Sequence, residues 1–168
     1  YCFYQIAAAN VELKKYDEAI ALYNKIISEY PDDPNLDNAW FQMARAYKDS
    51  GREEEAITPF MKISRNNRQL FTTARLFSAQ TYMKAGKHEE AMESMKYAVE
   101  DTSAIDTQKN VSRIYIMMGR SSKSLAEQKK DNALYQQAVD YYTKAIDIND
   151  PDTREQASVF RAGVLITL

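Results

Sequence analysis

Large apolar residues and alanines recur along the chain at helical intervals, most clearly between Trp40 and Ile63. The order there is Trp40-x2-Met43-Ala44-x2-Tyr47, then Gly51, then Ala56-x3-Phe60-x2-Ile63. Steps of three and four residues keep each set on one helix face. The stretch therefore predicts two short amphipathic helices joined at a glycine. Ala44 and Ala56 fall where two helix backbones are expected to cross at roughly 8–10 Å. A leucine there would overpack, at a cost of about 1–3 kcal/mol. Large side chains fill the gaps beside the alanines. A hairpin of this kind cannot bury its apolar surface alone and needs copies on either side.

The copies are present. An alanine is followed four residues later by a large residue at Ala19/Tyr23, Ala56/Phe60, Ala91/Met95 and Ala138/Tyr142, and three residues further on come Ile26, Ile63, Ala98 and Ala145. The anchors are 37, 35 and 47 residues apart. Before them stand Asp17-Glu18, Glu53-Glu54-Glu55 and Glu89-Glu90 in three of the copies. Acidic residues in a first turn suit the positive end of a helix dipole. The preceding helix recurs as Phe3-x2-Ile6-Ala7, as Trp40-x2-Met43-Ala44, as Ala79-x2-Tyr82 with Gly86, and as Tyr115-x2-Met118-Gly119. A truncated fifth copy is expected at Arg154 to Leu168, with Ala162-Gly163 at the close contact.

This pattern resembles the tetratricopeptide repeat family, whose unit of about 34 residues carries W-x2-L-G-x2-Y in its first helix and A-x3-F in its second. The resemblance implies an all-α, right-handed α-solenoid of helix-turn-helix repeats. The repeats are expected at 1–31, 37–69, 72–104 and 107–150, with the truncated one at 152–168, as a single solenoid within a longer protein. It also implies a non-catalytic protein–protein interaction scaffold that receives a partner's peptide or helix in a concave groove lined by the first helices. Carried over position by position, the groove residues are Tyr1, Tyr4, Ala8, Val11 and Glu12, then Asn38, Phe41, Arg45, Lys48 and Asp49. The third repeat gives Thr73, Leu76, Gln80, Met83 and Lys84, and the fourth Arg113, Ile116, Arg120, Lys123 and Ser124. Chaperone-tail binders of this family clamp a terminal carboxylate with Lys and Asn pairs. The matching places here hold Tyr4 and Ala8, then Gln42, then Thr73 and Phe77, so no binding to chaperone C-terminal tails is expected. The connection after Pro31, Asp32 to Leu36, is about three residues longer than a usual turn, and the run Ser28 to Pro34 resembles a bacterial subgroup that includes lipoprotein and periplasmic components of envelope assembly. Periplasm, cell envelope and cytoplasm remain open, as does the alternative role of a structural spacer or self-association module working through the C-terminal helix.

Departures from the repeat add detail. Pro59 lies inside a second helix and is expected to kink it on its convex side. The 47-residue spacing implies about thirteen extra residues. Gln108 to Lys130 reads as one long first helix whose end, from Ser121 through Asn132, projects past the solenoid.

Composition changes little. The 168 residues are 45% apolar and 27% charged, with four Gly and four Pro, and no strand-like alternation occurs. The net charge of −2 argues against a nucleic-acid or anionic-membrane partner. No apolar run approaches the roughly 20 residues of a membrane span. Lys109 to Lys130 nevertheless carries six basic residues against one acidic, Glu127, which favours a ligand with apolar anchors and negative charge. Cys2 is the only cysteine and His88 the only histidine, so neither a disulfide nor a transition-metal site is expected. Gly119-Arg120-Ser121-Ser122-Lys123-Ser124 lacks the second glycine of a phosphate loop and follows no strand. No carboxylate pair is marked out for acid–base work, so no enzyme and no cofactor are expected.

Overall fold

Four of the repeats read from the spacing supply two helices each and the truncated fifth supplies one in the computed structural model, which describes residues 2–99 and 108–167. Tyr1, Leu168 and residues 100–107, where the third repeat was expected to end and the fourth to begin, lie outside them. The helices are α1 (Cys2–Glu12), α2 (Tyr16–Glu29), α3 (Leu36–Asp49), α4 (Ile57–Lys62), α5 (Arg68–Lys84), α6 (His88–Val99), α7 (Gln108–Lys129), α8 (Asn132–Asp147) and α9 (Pro151–Leu165). No strand occurs among the described residues. The helices form two compact units, Tyr1–Thr81 and Tyr82–Leu168.

In the first unit α1 packs on α2, α2 on α3, and α3 on α4. The small residues do what the spacing requires. Ala7, Ala19 and Ala44 are 0% exposed and Ala56 is 2% exposed. Tyr23, Ile26 and Met43 fill the space around the first of them, with Phe3, Trp40 and Tyr47 packed alongside. The α1–α2 and α3–α4 turns share one geometry. Lys14 and Gly51 have positive φ (58° and 81°), and the next amide reaches back into the preceding helix (Lys15 N–H to the Asn10 carbonyl, Arg52 N–H to the Tyr47 carbonyl). Such a helix stop needs a left-handed residue, which glycine adopts freely and lysine adopts at a cost.

Pro59 does not kink a helix here. α4 begins only at Ile57, and residues 53–56 form a turn, so Pro59 is the helix's third residue. First-turn amides have no intrahelical acceptor, so the missing N–H costs nothing there. The ring is buried, not displayed on a convex side. Proline has moved the helix start instead of bending the helix.

In the second unit α6 packs on α7, α7 on α8, and α8 on α9. Ala91 and Ala138 are fully buried anchors. The turns repeat the left-handed stop at Gly86 (φ 73°) and Lys130 (φ 53°). Two acids cap helices that the spacing alone did not delimit. Asp131 accepts from the Ala133 amide (2.8 Å) and Asp150 from the Thr153 amide (3.1 Å), each satisfying a free first-turn donor.

The long α7 is present, with 22 residues, and its end is covered as far as Ala126 instead of projecting from Ser121. Ser121, Ser122 and Ala126 are fully buried and Leu125 nearly so. The reason is that α8 has grown with α7. Its anchor Ala138 stands eight residues beyond the left-handed Lys130, whereas Ala56 and Ala91 stand five beyond Gly51 and Gly86. The extra turn of α8 covers the extra turns of α7. The Ser122 hydroxyl contacts the Leu134 carbonyl and the Gln137 side chain, both at 2.9 Å.

A close crossing is at Gly119. A Cβ on this residue would lie 2.5 Å from Cε1 of Tyr142. The fourth repeat thus puts glycine where the others have alanine, and an intact tyrosine ring rests on the bare backbone. Beside it the buried Ser112 donates to the Ala145 carbonyl (3.2 Å) and receives from Thr153 (2.7 Å), tying α7 to α8 and α9.

Candidate peptide-binding groove

The first unit contains a cavity of about 480 Å³ between α1 and α3. Spacing explains its walls. Tyr4, Ala8, Val11 and Glu12 lie at intervals of three and four on α1, and Asn38, Gln42 and Arg45 do the same on α3. Tyr23 of α2 forms part of the wall, and Asp33 and Asn35 of the α2–α3 connection complete it. Arg45 donates to Gln42 Oε1 at 3.3 Å. Asp33 is oriented by the Asn35 amide, which donates to its Oδ1 at 2.7 Å. Burial raises the Tyr23 hydroxyl pKa, and the Arg45 charge offsets part of the rise. Burial also raises that of Tyr4, and the nearby charge of Asp33 pushes it in the same direction.

Of the residues singled out from the sequence, Tyr4, Asn38 and Arg45 come together here, with Ala8, Val11 and Glu12. Tyr1 lies outside the described residues. Phe41 and Lys48 belong to a neighbouring aromatic cluster. The Phe41 ring meets Phe60 edge-on at 5.7 Å, Phe60 stacks on Phe77 at 5.5 Å, and Lys48 Nζ sits 4.4 Å from the Phe77 centroid. On α5, Gln80 and Lys84 are exposed while Leu76 and Met83 are half-buried. On α7, Arg113 and Arg120 are exposed, but Ile116 packs into the core with Ala138 and Tyr142. Sequence reasoning missed Gln5, Tyr23, Asp33, Asn35 and Gln42. The signal for Asp33 and Asn35 was the unusually long connection after Pro31.

The charge pattern also differs from expectation. The cavity carries Glu12 and Asp33 against Arg45 alone, so it does not itself select negative ligands. Three of the cations of α7 are matched within the second unit. Lys109 pairs with Asp152, Lys123 with Glu127 at 3.6 Å, and Lys129 with Glu89. The acids lie on α9, α7 itself and α6, which a count along α7 alone could not reveal. The Lys109 and Lys129 ammonium groups hold the Asp152 and Glu89 carboxyls below their usual pKa range, first through their hydrogen bonds. Among the described residues no group of acids, histidines and cysteines could hold a metal, and no helix is long and apolar enough to cross a membrane.

Tetratricopeptide repeat profiles match residues 1–33, 37–69 and 73–100, more than half of the chain. The chain belongs to the tetratricopeptide repeat family. Solved structures agree on the solenoid fold. The MamA protein superposes with a TM-score of 0.65 at 18% identity, covering 98% of this chain and 88% of MamA. A putative kinesin light chain from Podosopora anserina with nearly identical TPR-like repeats gives 0.64 at 16% identity, covering 97% and 83%. A TPR repeats protein from Bacteroides fragilis gives 0.54 at 20% identity, covering 99% and 82%. No curated protein matches the sequence. As a tetratricopeptide repeat protein this chain is a protein-interaction scaffold, in a family whose members are typically non-catalytic.

Proposed function

We propose that this tetratricopeptide repeat protein binds an extended peptide or a helix of a partner protein along the first helices of its repeats, with the α1–α3 cavity as the principal seat. The observation that carries this reading is the cavity itself. It is concave, it is walled by the faces that the repeat leaves free, and it mixes apolar patches (Val11, Ala8, the tyrosine rings) with carboxamides suited to peptide groups. Leu76 and Gln80 of α5 are proposed to extend the contact within the first unit. Asn38→Ala combined with Arg45→Glu should weaken a peptide selected on the protein, read by fluorescence anisotropy. Unchanged affinity would move the site elsewhere.

One further observation favours a second role. α9 exposes Val159 and Leu165, and Ile166 directly after it is exposed too, at 64%, 53% and 87%. An apolar helix face of this kind suits stacking on another repeat, as in a spacer, or on a second copy. Light scattering over a concentration series tests the second copy, and a monomer throughout would sink self-association.

A further inference from the structure

A second cavity, of about 280 Å³, opens off the same wall of the first unit, and Tyr4 and Asp33 line both. Its remaining walls are Phe3, Tyr30, Ile26 and Cys2. Three aromatic rings and one carboxylate therefore surround a space large enough for one long side chain, and among the described residues Asp33 is the only charged one lining it. Ring faces attract cations, most strongly where water is partly excluded. The protein already uses one of these rings in that way, since Lys25 Nζ stands 4.7 Å from the Phe3 centroid. The carboxylate is held in place by the Asn35 amide at its Oδ1. Tyr30 is 49% exposed, which leaves the cavity an open side.

We infer that this cavity is an anchor site for a lysine or arginine of the partner segment, held by the Phe3, Tyr4 and Tyr30 rings with Asp33 as counter-charge. The inference rests on the groove reading above, because Tyr4 and Asp33 carry the segment from one cavity into the other. It reverses the electrostatic preference that the basic residues of α7 suggested. The partner bears a positive charge at this point, next to the residues that fill the larger cavity. An arginine suits the site best, since its planar head can stack on a ring while donating to a carboxylate.

The test uses the whole chain to select from a displayed library of random peptides. The expected result is enrichment of peptides with a lysine or arginine at a fixed distance from an apolar residue. Asp33→Asn keeps an oxygen for the Asn35 amide and removes the charge. It should weaken those peptides by about five- to tenfold, the scale of a partly exposed cation contact, and Tyr30→Ala should act in the same direction. Asp32→Asn, next door and outside the cavity, should change nothing. Replacing the peptide's basic residue by norleucine should weaken binding to the parent at least as much, and should cost clearly less in Asp33→Asn, where only the rings still hold the cation. Enriched peptides without a basic preference, indifferent to Asp33→Asn but weakened by Asn38→Ala with Arg45→Glu, would overturn the anchor and leave the groove standing. Enrichment of no peptide would overturn both.

Discussion

Gly119 and Gly163 are both helical glycines, yet the same substitution should act on them with opposite sign. At Gly163 an added Cβ meets nothing within 4 Å. Alanine there gains helix propensity, about 0.5–1 kcal/mol in stability. At Gly119 the Cβ would stand 2.5, 2.7 and 2.8 Å from three atoms of the Tyr142 ring, where ordinary contact begins at 3.4 Å. The ring must retreat by nearly 1 Å, but it is 1% exposed and has Phe160 behind it at 5.7 Å between centroids. Dense packing leaves little room for such a shift. Overpacking costs about 1–3 kcal/mol and propensity returns about 1 kcal/mol. Gly119→Ala should therefore lose up to about 2 kcal/mol by the difference of these two effects. Native-state hydrogen exchange of α7 and α8 is the suitable assay, because repeat proteins need not unfold as one unit. A Tyr142→Leu background should recover part of the loss. If Gly119→Ala gains as much stability as Gly163→Ala, the close approach is not what holds this crossing.

Lys14 and Lys130 occupy the left-handed place that Gly51 and Gly86 fill elsewhere. Lys14→Gly and Lys130→Gly should each stabilise their unit by about 0.5–1 kcal/mol, read for the first by Trp40 fluorescence in denaturant and for the second by exchange in α7 and α8. Burial pushes the Tyr142 hydroxyl from 10.0 up to about 12, partly opposed by Arg120. The folded state thus holds this proton more tightly than the unfolded chain, so the stabilisation is complete below pH 10 and disappears as the pH rises through 12. Tyrosinate absorbance followed against circular dichroism should show one tyrosine ionising late, with unfolding. Ser122→Ala removes the hydroxyl that links α7 to the Leu134 carbonyl and Gln137, and should cost about 1 kcal/mol in thermal or chemical unfolding.

The repeat was legible because its small residues answer to one steric demand. Ala19, Ala56, Ala91 and Ala138 could be read as crossing points without any structure, and each is buried. Even Gly119 fell at its proper place in the series. What escaped was set by neighbours beyond the local period. Pro59 could shift the helix start because the turn at residues 53–56 absorbs the displaced residues. Phe41 was read from its own helix, but rings on α4 and α5 decide where it packs. In the groove, α1 and α3 were legible as faces. The contribution of Asp33 and Asn35 was not, because a connection has no periodicity from which to place a side chain.

The shared growth of α7 and α8 has a consequence for how such chains change length. A helix lengthened alone would bare Ser121, Leu125 and Ala126 to water, and its facing partner lengthened alone would reach into solvent. Residues can be added only as a matched pair, one run on each side of the turn at Lys130, leaving the turn itself untouched. Insertions in this lineage should therefore come in two parts separated by a conserved stop. A template of fixed period would read straight past the result, although the rule that packs it has not changed.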